Sequence, residues 1–296
     1  MSSGSQLSKE AKRRMSDEFT DFTLYERLSK TVPETSPFAG NLRHLSATEH
    51  KHYEFWRKYV PEQEPRLDNF KVSWVSFLRR VFGLTFASRY LDRHEADVVR
   101  EYRELEGIIP QADKAAFEEM MADEQDHEKE FAQKIESAAI SYISFVVLGL
   151  ADALVEITGI HAGSLGIYNK TEFAGLAGVI AGAAASLAMA SAAFAQAKQG
   201  FKGSARLSAV YTGVSYFITA IILAAPYFLT ASMVYALSAS LLLAVVILTL
   251  VTYYSTVISG KPFFRDFIEI LAIMFGVTVV LYVFGSFVGT STGIRI

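Results

Sequence analysis

The stretch that decides the fold is AISYISFVVLGLADALVEITGIHAGSL, at residues 139–165. Its only charged side chains are those of Asp152 and Glu156. A helix of about 20 apolar residues is long enough to cross a hydrocarbon core of roughly 30 Å. The stretch therefore predicts a membrane-spanning helix.

Four more apolar stretches follow it and predict four further spans, at residues 173–197, 206–225, 230–258 and 264–289. Basic residues are concentrated in the loops after the second and fourth spans: Lys198, Lys202, Arg206, Lys261 and Arg265. Loops rich in Lys and Arg stay on the cytoplasmic side, so both loops are expected in the cytoplasm. An odd number of spans then places the front of the chain in the cytoplasm and the C-terminus outside, as in a multi-pass protein of the cytoplasmic membrane.

The charged residues divide the chain into two parts. Of 59 Asp, Glu, Lys and Arg residues, 47 lie in the first 136 positions and 12 in the remaining 160. The front part has a net charge of −5 and the rear part +2, so neither has the strongly basic surface of a nucleic-acid-binding protein. The chain has no cysteine, which excludes disulfides, zinc–thiolate sites and thiol nucleophiles. The sequence predicts two domains, 16–136 in water and 137–296 in the membrane.

The front domain is predicted to be an all-α bundle of four main helices, near residues 16–31, 42–59, 69–106 and 111–136. Prolines and glycines mark the loops between them: Pro33, Pro37, Gly40, Pro61, Gly107 and Pro110. A helix–turn–helix order that occurs twice is the arrangement of a four-helix bundle.

Two Glu-x-x-His pairs are the strongest metal-binding signal, Glu49 with His52 and Glu124 with His127. A spacing of three residues puts the carboxylate and the imidazole on one face of a helix, where both can bind one metal ion. Two such helices facing each other would form a two-metal site.

Hairpin geometry predicts the partner carboxylates, because residues at the same height in a hairpin have numbers that average to a position in the turn. Glu26 and Glu49 average to 37.5, inside the first loop, and Glu95 and Glu124 average to 109.5, inside the Gly107–Pro110 turn. Glu101 averages with Glu124 to 112.5 and is the alternative to Glu95. The predicted ligands match the set of di-iron and di-manganese bundles: Glu26, Glu49, His52, Glu95, Glu124 and His127. Oxygen and nitrogen ligands without sulfur suit either iron or manganese.

On these six residues, the segment 16–136 resembles the ferritin-like, rubrerythrin-type di-iron proteins. The resemblance implies oxidation of ferrous iron by oxygen or peroxide, and hence a ferroxidase, peroxide-scavenging or iron-sensing role. The cysteine-bound iron of rubrerythrins has no counterpart in this chain, which contains no cysteine.

The first two predicted spans contain the residues that suggest an ion path. Asp152 and Glu156 lie four residues apart on one helix face. Ionisable residues are costly in a bilayer and often line a path for ions or protons. Met189 offers a thioether for ferrous iron, although a single methionine in a helix is also an ordinary packing residue.

The segments GLADAL at 149–154 and SLAMAS at 186–191 resemble the first two spans of the vacuolar iron transporter family. The resemblance covers about 139–289 and implies five spans, a homodimer and proton-coupled export of Fe²⁺ or Mn²⁺, with Asp152 and Met189 in the path. The order of the two domains is similar to that of the membrane-bound ferritins, a group of iron exporters.

We therefore expect an iron or manganese transporter whose bundle captures, oxidises or senses the metal. Its expected partners are Fe²⁺ or Mn²⁺, protons, membrane lipid and a second copy of the chain, with no nucleic acid. The alternative is a membrane-anchored di-iron ferroxidase or peroxidase whose spans only tether it. One further segment, 70–91, has a basic amphipathic pattern that suits either the inner membrane surface or the interior of the bundle.

Overall fold

The computed structural model describes residues 3–35, 37–92, 95–134, 138–201 and 203–293, without the side chains of a few of them: Ser3, Pro37, Asp92, 95–97, Val99, 125–134 and 138–141. Contacts divide the chain into two compact units, Met1–Ile135 and Glu136–Ile296. Every regular element among the described residues is helical, so the predicted all-α class is confirmed.

The first unit contains six α-helices among its described residues: α1 (Ser3–Ser29), α2 (Pro37–Arg57), α3 (Asn69–Phe82), α4 (Leu84–Asp92), α5 (Glu95–Leu105) and α6 (Lys114–Lys134). Helix α1 begins earlier than predicted. Leu7, Ala11 and Met15, four residues apart, continue its buried face into the core. The apolar periodicity therefore extends α1 through a stretch that is mostly polar in composition.

A crossover that carries α3 and α4 connects α2 to α5. The carboxylate of Asp68 caps α3 by accepting a hydrogen bond from the N–H of Lys71 at 2.9 Å. Gly83 follows α3 with a φ of +87°, a backbone conformation that glycine adopts without strain. The single helix predicted over 69–106 is therefore interrupted at Gly83, and residues 93–94, between α4 and α5, lie outside the described residues.

Helices α1, α2, α5 and α6 share one apolar core, which is the arrangement of a bundle. Met15, Trp56, Tyr102 and Phe117 come from these four helices in that order, and all four are buried. The ring centroid of Trp56 is 5.7 Å from that of Tyr102 and 6.0 Å from that of Phe117. Each aromatic side chain buries roughly 150–250 Å², so these rings contribute strongly to the packing of the four helices.

The second unit contains α7 (Ala138–Ser164), α8 (Thr171–Ala197), α9 (Ala205–Ala224), the short α10 (Pro226–Leu229), α11 (Met233–Ser259) and α12 (Phe263–Thr292). Within the described part of the chain, five helical segments are long and apolar enough to cross a membrane: Tyr142–Ser164, Thr171–Ala197, Ala205–Leu229, Met233–Ser259 and Phe263–Thr292. Each lies within a few residues of a predicted span. The chain is therefore a multi-pass membrane protein.

Glycines allow α12 to lie directly against α7. A Cβ atom at Gly285 would overlap the carbonyl oxygen of Gly163, and one at Gly289 would overlap that of Gly166. Gly285 and Gly289 form a Gly-x-x-x-Gly motif, and small residues at this spacing let two membrane helices approach closely. Side chains larger than hydrogen at these positions would separate α7 from α12.

Candidate metal centre

Four buried side chains from three helices of the first unit converge at one place: Glu18 of α1, Glu49 and His52 of α2, and Glu124 of α6. One donor atom from each lies within 4.8 Å of the others. Their exposed fractions are only 2–4 %. Three carboxylates and an imidazole at these separations could hold a metal ion.

His52 lies among the three carboxylates. Its Nδ1 is 3.0 Å from Oε1 of Glu124, 3.5 Å from Oε2 of Glu49 and 3.9 Å from Oε2 of Glu18. Its Nε2 is 3.6 Å from Oδ2 of Asp123. Burial acts to lower the pKa of His52, but the carboxylates of Asp123, Glu124 and Glu49 outweigh it and raise that pKa well above the ordinary value. The imidazole therefore favours its protonated form until a cation competes for the same carboxylates.

Glu18 receives a chain of hydrogen bonds from the aromatic core. The hydroxyl of Tyr102 donates to Oε1 of Glu18, and the indole N–H of Trp56 donates to that hydroxyl at 3.3 Å. Burial, together with the charges of Glu49 and Glu124, raises the pKa of Glu18 well above its ordinary value. The Glu18 carboxylate therefore needs either a proton or a nearby cation.

The charges of the four side chains do not cancel. With Glu18 ionised, three carboxylates and one protonated imidazole would carry a net charge of −2, which is costly to bury, so Glu18 holds a proton when no cation is bound. With a divalent cation bound and the imidazole neutral, the net charge is −1. The cluster is therefore electrostatically suited to a cation, and its oxygen and nitrogen donors suit iron or manganese.

A cavity of about 300 Å³ connects this cluster with the surface. Three of the four cluster residues, Glu18, Glu49 and Glu124, contribute to its lining. Exposed residues line it as well, among them Asp17 and Glu101. A hydrated cation could reach the buried carboxylates through this opening.

Glu49, His52 and Glu124 are the predicted ligands that the structure brings together. The prediction of Glu26 is corrected: its side chain is 45 % exposed and forms an ion pair with Lys30 at 2.8 Å. Glu18, two turns earlier in α1, provides the α1 carboxylate of the cluster.

The position of the first turn explains the correction. Helix α2 begins at Pro37, so the connection between α1 and α2 is residues 30–36 and not the predicted loop from Pro33 to Gly40. Glu18 and Glu49 average to 33.5, near the centre of that connection. Because proline is favoured at the first position of a helix, Pro37 was the signal that could have identified Glu18.

The remaining predicted ligands either lie outside the cluster or have side chains that the structure does not describe. The side chains of Glu95 and His127 are outside those that the structure describes. Glu101, the alternative to Glu95, forms ion pairs with Arg13 at 3.0 Å and with Arg14, and its side chain is 47 % exposed. Glu101 therefore pairs with arginines and is not one of the four clustered side chains.

In the second unit, Asp152 and Glu156 are partly buried in α7. The hydroxyl of Tyr216, in α9, donates a hydrogen bond to Oε2 of Glu156 at 2.6 Å. Met189 packs against an apolar cluster that includes Leu154 of α7. The Tyr216 contact was missed, because a single tyrosine in an apolar stretch has no spacing signal that points to a partner on another helix.

Comparison with known proteins identifies no relative. The chain matches no protein-family model, no curated protein and no solved structure. Its function must therefore be inferred from its own residues and geometry.

Proposed function

We propose that this protein is a metal transporter of the cytoplasmic membrane, in which the first unit captures, oxidises or senses iron and the second exports Fe²⁺ by proton antiport. The observation that carries the proposal is the buried cluster of Glu18, Glu49, His52 and Glu124 in a chain with five candidate spans among its described residues. A buried set of uncompensated carboxylates is costly without a cation. A multi-pass chain with such a set is well suited to moving metal.

The donor set supports iron or manganese as the metal. Both ions accept carboxylate and imidazole ligands, and either would supply redox chemistry when bound. Tyr102 holds Glu18 in place by its hydrogen bond, and His52 and Glu18 exchange protons for the cation. Manganese is the alternative cargo, because the ligands do not discriminate between the two metals.

Asp152 and Glu156 support an ion path through the second unit. They are the charged residues of the first span, and Tyr216 fixes the Glu156 carboxylate. Ionisable residues inside a span are costly and commonly serve ions or protons. The basic loops after the second and fourth spans support an orientation with the first unit in the cytoplasm and the C-terminus outside.

A membrane-anchored ferroxidase or peroxidase is the second candidate. One observation favours it: all four clustered side chains belong to the first unit, and the cluster found among the described residues contains no residue of the spans. In that case the five helices would only tether the protein.

Transport by the full chain in sealed vesicles separates the two candidates. A trapped ferrous-iron indicator and a trapped pH dye report both ions. We expect Fe²⁺ to enter while protons move in the opposite direction. A tether would move neither ion, and that result would reject the transporter.

The Asp152→Asn variant tests the path in the same vesicles. We expect it to abolish transport, because the amide cannot carry the charge or the proton that the carboxylate carries, while metal remains bound in the first unit. Glu172→Gln, at the exposed start of α8, is the matched control and should transport normally. Unchanged transport by Asp152→Asn would remove Asp152 from the path.

A further inference from the structure

Helix α3 has two apolar faces, and the described part of the first unit covers only one of them. Val72, Val75 and Leu78 are buried, and α3 contacts α1. The second face is exposed and consists of Phe70, Trp74, Phe77 and Val81, which we call the α3 strip. The exposed fraction reaches 79 % at Phe70 and is 37 % at Trp74.

The α3 strip is continuous along the helix. Its residues are spaced by four, three and four positions, so they fall within roughly 60° of the helix circumference at about 100° per residue. The rings of Trp74 and Phe77 stack with centroids 5.6 Å apart and an interplanar angle of 25°. A continuous row of three exposed aromatic rings and a valine is the kind of apolar surface that often marks a binding site.

Charge indicates what this partner is. The sequence of α3 contains Lys71, Arg79 and Arg80 and no Asp or Glu. Lys71 forms an ion pair with Asp21, in which Nζ is 2.6 Å from Oδ1. Arg80 is exposed beside the strip, roughly 80° from Phe70 around the helix. Aromatic and apolar residues flanked by arginine suit the surface of a bilayer that contains anionic lipids.

The size of the strip argues against a second copy of the chain as the partner. Fourteen residues of helix are about 21 Å long and about 10 Å wide, a footprint of roughly 200 Å². A stable protein–protein interface buries about 800 Å² on each side. A lipid surface has no such requirement, because the same chain crosses the bilayer and presents the strip to it at high effective concentration.

We propose that the α3 strip docks on the anionic phospholipid surface of the membrane that this chain spans. The aromatic rings and Val81 enter the headgroup region, and Arg80 pairs with lipid phosphates. This contact is independent of metal binding and of transport, so it stands or fails separately from the proposed function.

The two tryptophans of the chain provide the test. Trp74 belongs to the strip, whereas Trp56 is fully buried in the bundle core, and both belong to the first unit. The full chain is reconstituted in phosphatidylglycerol-rich vesicles whose acyl chains carry bromine, a contact quencher of indole fluorescence. The difference between the wild type and Trp74→Phe isolates the Trp74 emission, and this exposed substitution preserves the core. We expect bromolipid to remove most of the Trp74 emission and little of the Trp56 emission.

Charge variants complete the test. Arg80→Glu should abolish most of the quenching of Trp74, and Arg43→Glu, an exposed arginine of α2, is the matched control that should leave it unchanged. Vesicles of phosphatidylcholine alone should also quench Trp74 less than phosphatidylglycerol-rich ones. The proposal would be overturned if aqueous acrylamide quenched the emission of Trp74 and bromolipid did not. Trp74 protected from both quenchers would overturn it too, because a protein surface, such as a second copy, would then cover the strip.

Discussion

Glu18 and His52 link the cluster to pH. Each has a raised pKa, Glu18 because it is buried beside Glu49 and Glu124, and His52 because three carboxylates outweigh the effect of its burial. In the folded, metal-free chain both groups therefore keep their protons at pH values at which they would lose them if they were exposed to water. A cation that binds the cluster must displace those protons.

We expect the metal-free first unit to lose stability as the pH rises. Above the ordinary pKa of 4.5, Glu18 binds more protons in the folded chain than in the unfolded one, and His52 does so above 6.5. The free energy of unfolding therefore decreases with pH until the raised pKa values are passed, and a bound cation removes this dependence.

Thermal unfolding of the full chain, followed by the fluorescence of its two tryptophans, measures this effect. The chelator-treated protein should unfold at a lower temperature at about pH 8 than at about pH 5, and metal should reduce that difference. Glu18→Gln should reduce the pH dependence and leave the part that His52 contributes. A chelated wild type that unfolds at the same temperature at both pH values would refute the assigned protonation.

Tyr102 supports one of the candidate ligands, Glu18, through a hydrogen bond. Its hydroxyl donates to Glu18, so Tyr102→Phe keeps the ring packing and removes only the hydrogen bond. Loss of such a supporting contact commonly weakens metal binding by about 10–100-fold, and we expect that range for the full chain in a metal titration. Tyr59→Phe is the matched control. The hydroxyl of Tyr59 donates to Asp113 at 2.7 Å and not to a residue of the cluster, so this variant should bind metal normally. Equal affinities of the two variants would exclude an orienting role for Tyr102.

The α1–α2 hairpin shows which parts of the bundle the sequence could predict. The Glu49–His52 spacing identified two residues of the cluster directly, because residues three positions apart in a helix lie on one face. The α1 carboxylate of the cluster depended on the position of the turn, and treating Pro37 as part of the loop moved the prediction from Glu18 to Glu26. Gly83 similarly divided a helix that periodicity alone predicted as continuous, because apolar spacing does not report a positive φ.

The contact between α7 and α12 leads to a further prediction. Gly285→Ala should destabilise the second unit by about 1–3 kcal/mol, because its Cβ would collide with the backbone of Gly163 and force the two helices apart. Gly276→Ala, in the same helix, is the matched control, since a Cβ there meets no atom within 4 Å. Thermal unfolding in detergent, followed by far-ultraviolet circular dichroism, compares the two. If both variants unfold at the wild-type temperature, the close approach of α7 and α12 is not required for stability.

Contacts divide the molecule into two units, and the five candidate membrane-spanning helices among the described residues all belong to the second unit. A span is defined by length and hydropathy over about 20 residues, so all five predicted spans agree with long apolar helices within a few residues. The cluster of Glu18, Glu49, His52 and Glu124 and the Tyr216–Glu156 contact depend on single side chains from separate helices, which composition does not encode. Packing decides those contacts.

The metal content of the purified full chain decides whether the cluster is a metal centre. After exposure to Fe²⁺ or Mn²⁺ without oxygen and removal of free metal, the wild type and Glu26→Gln should retain at least about one ion per chain, and two would fit a di-metal bundle. Glu18→Gln should lose most of that metal, because it removes one of the four converging donors. A wild type without bound metal, or a Glu18→Gln variant that retains as much as Glu26→Gln, would contradict the assignment.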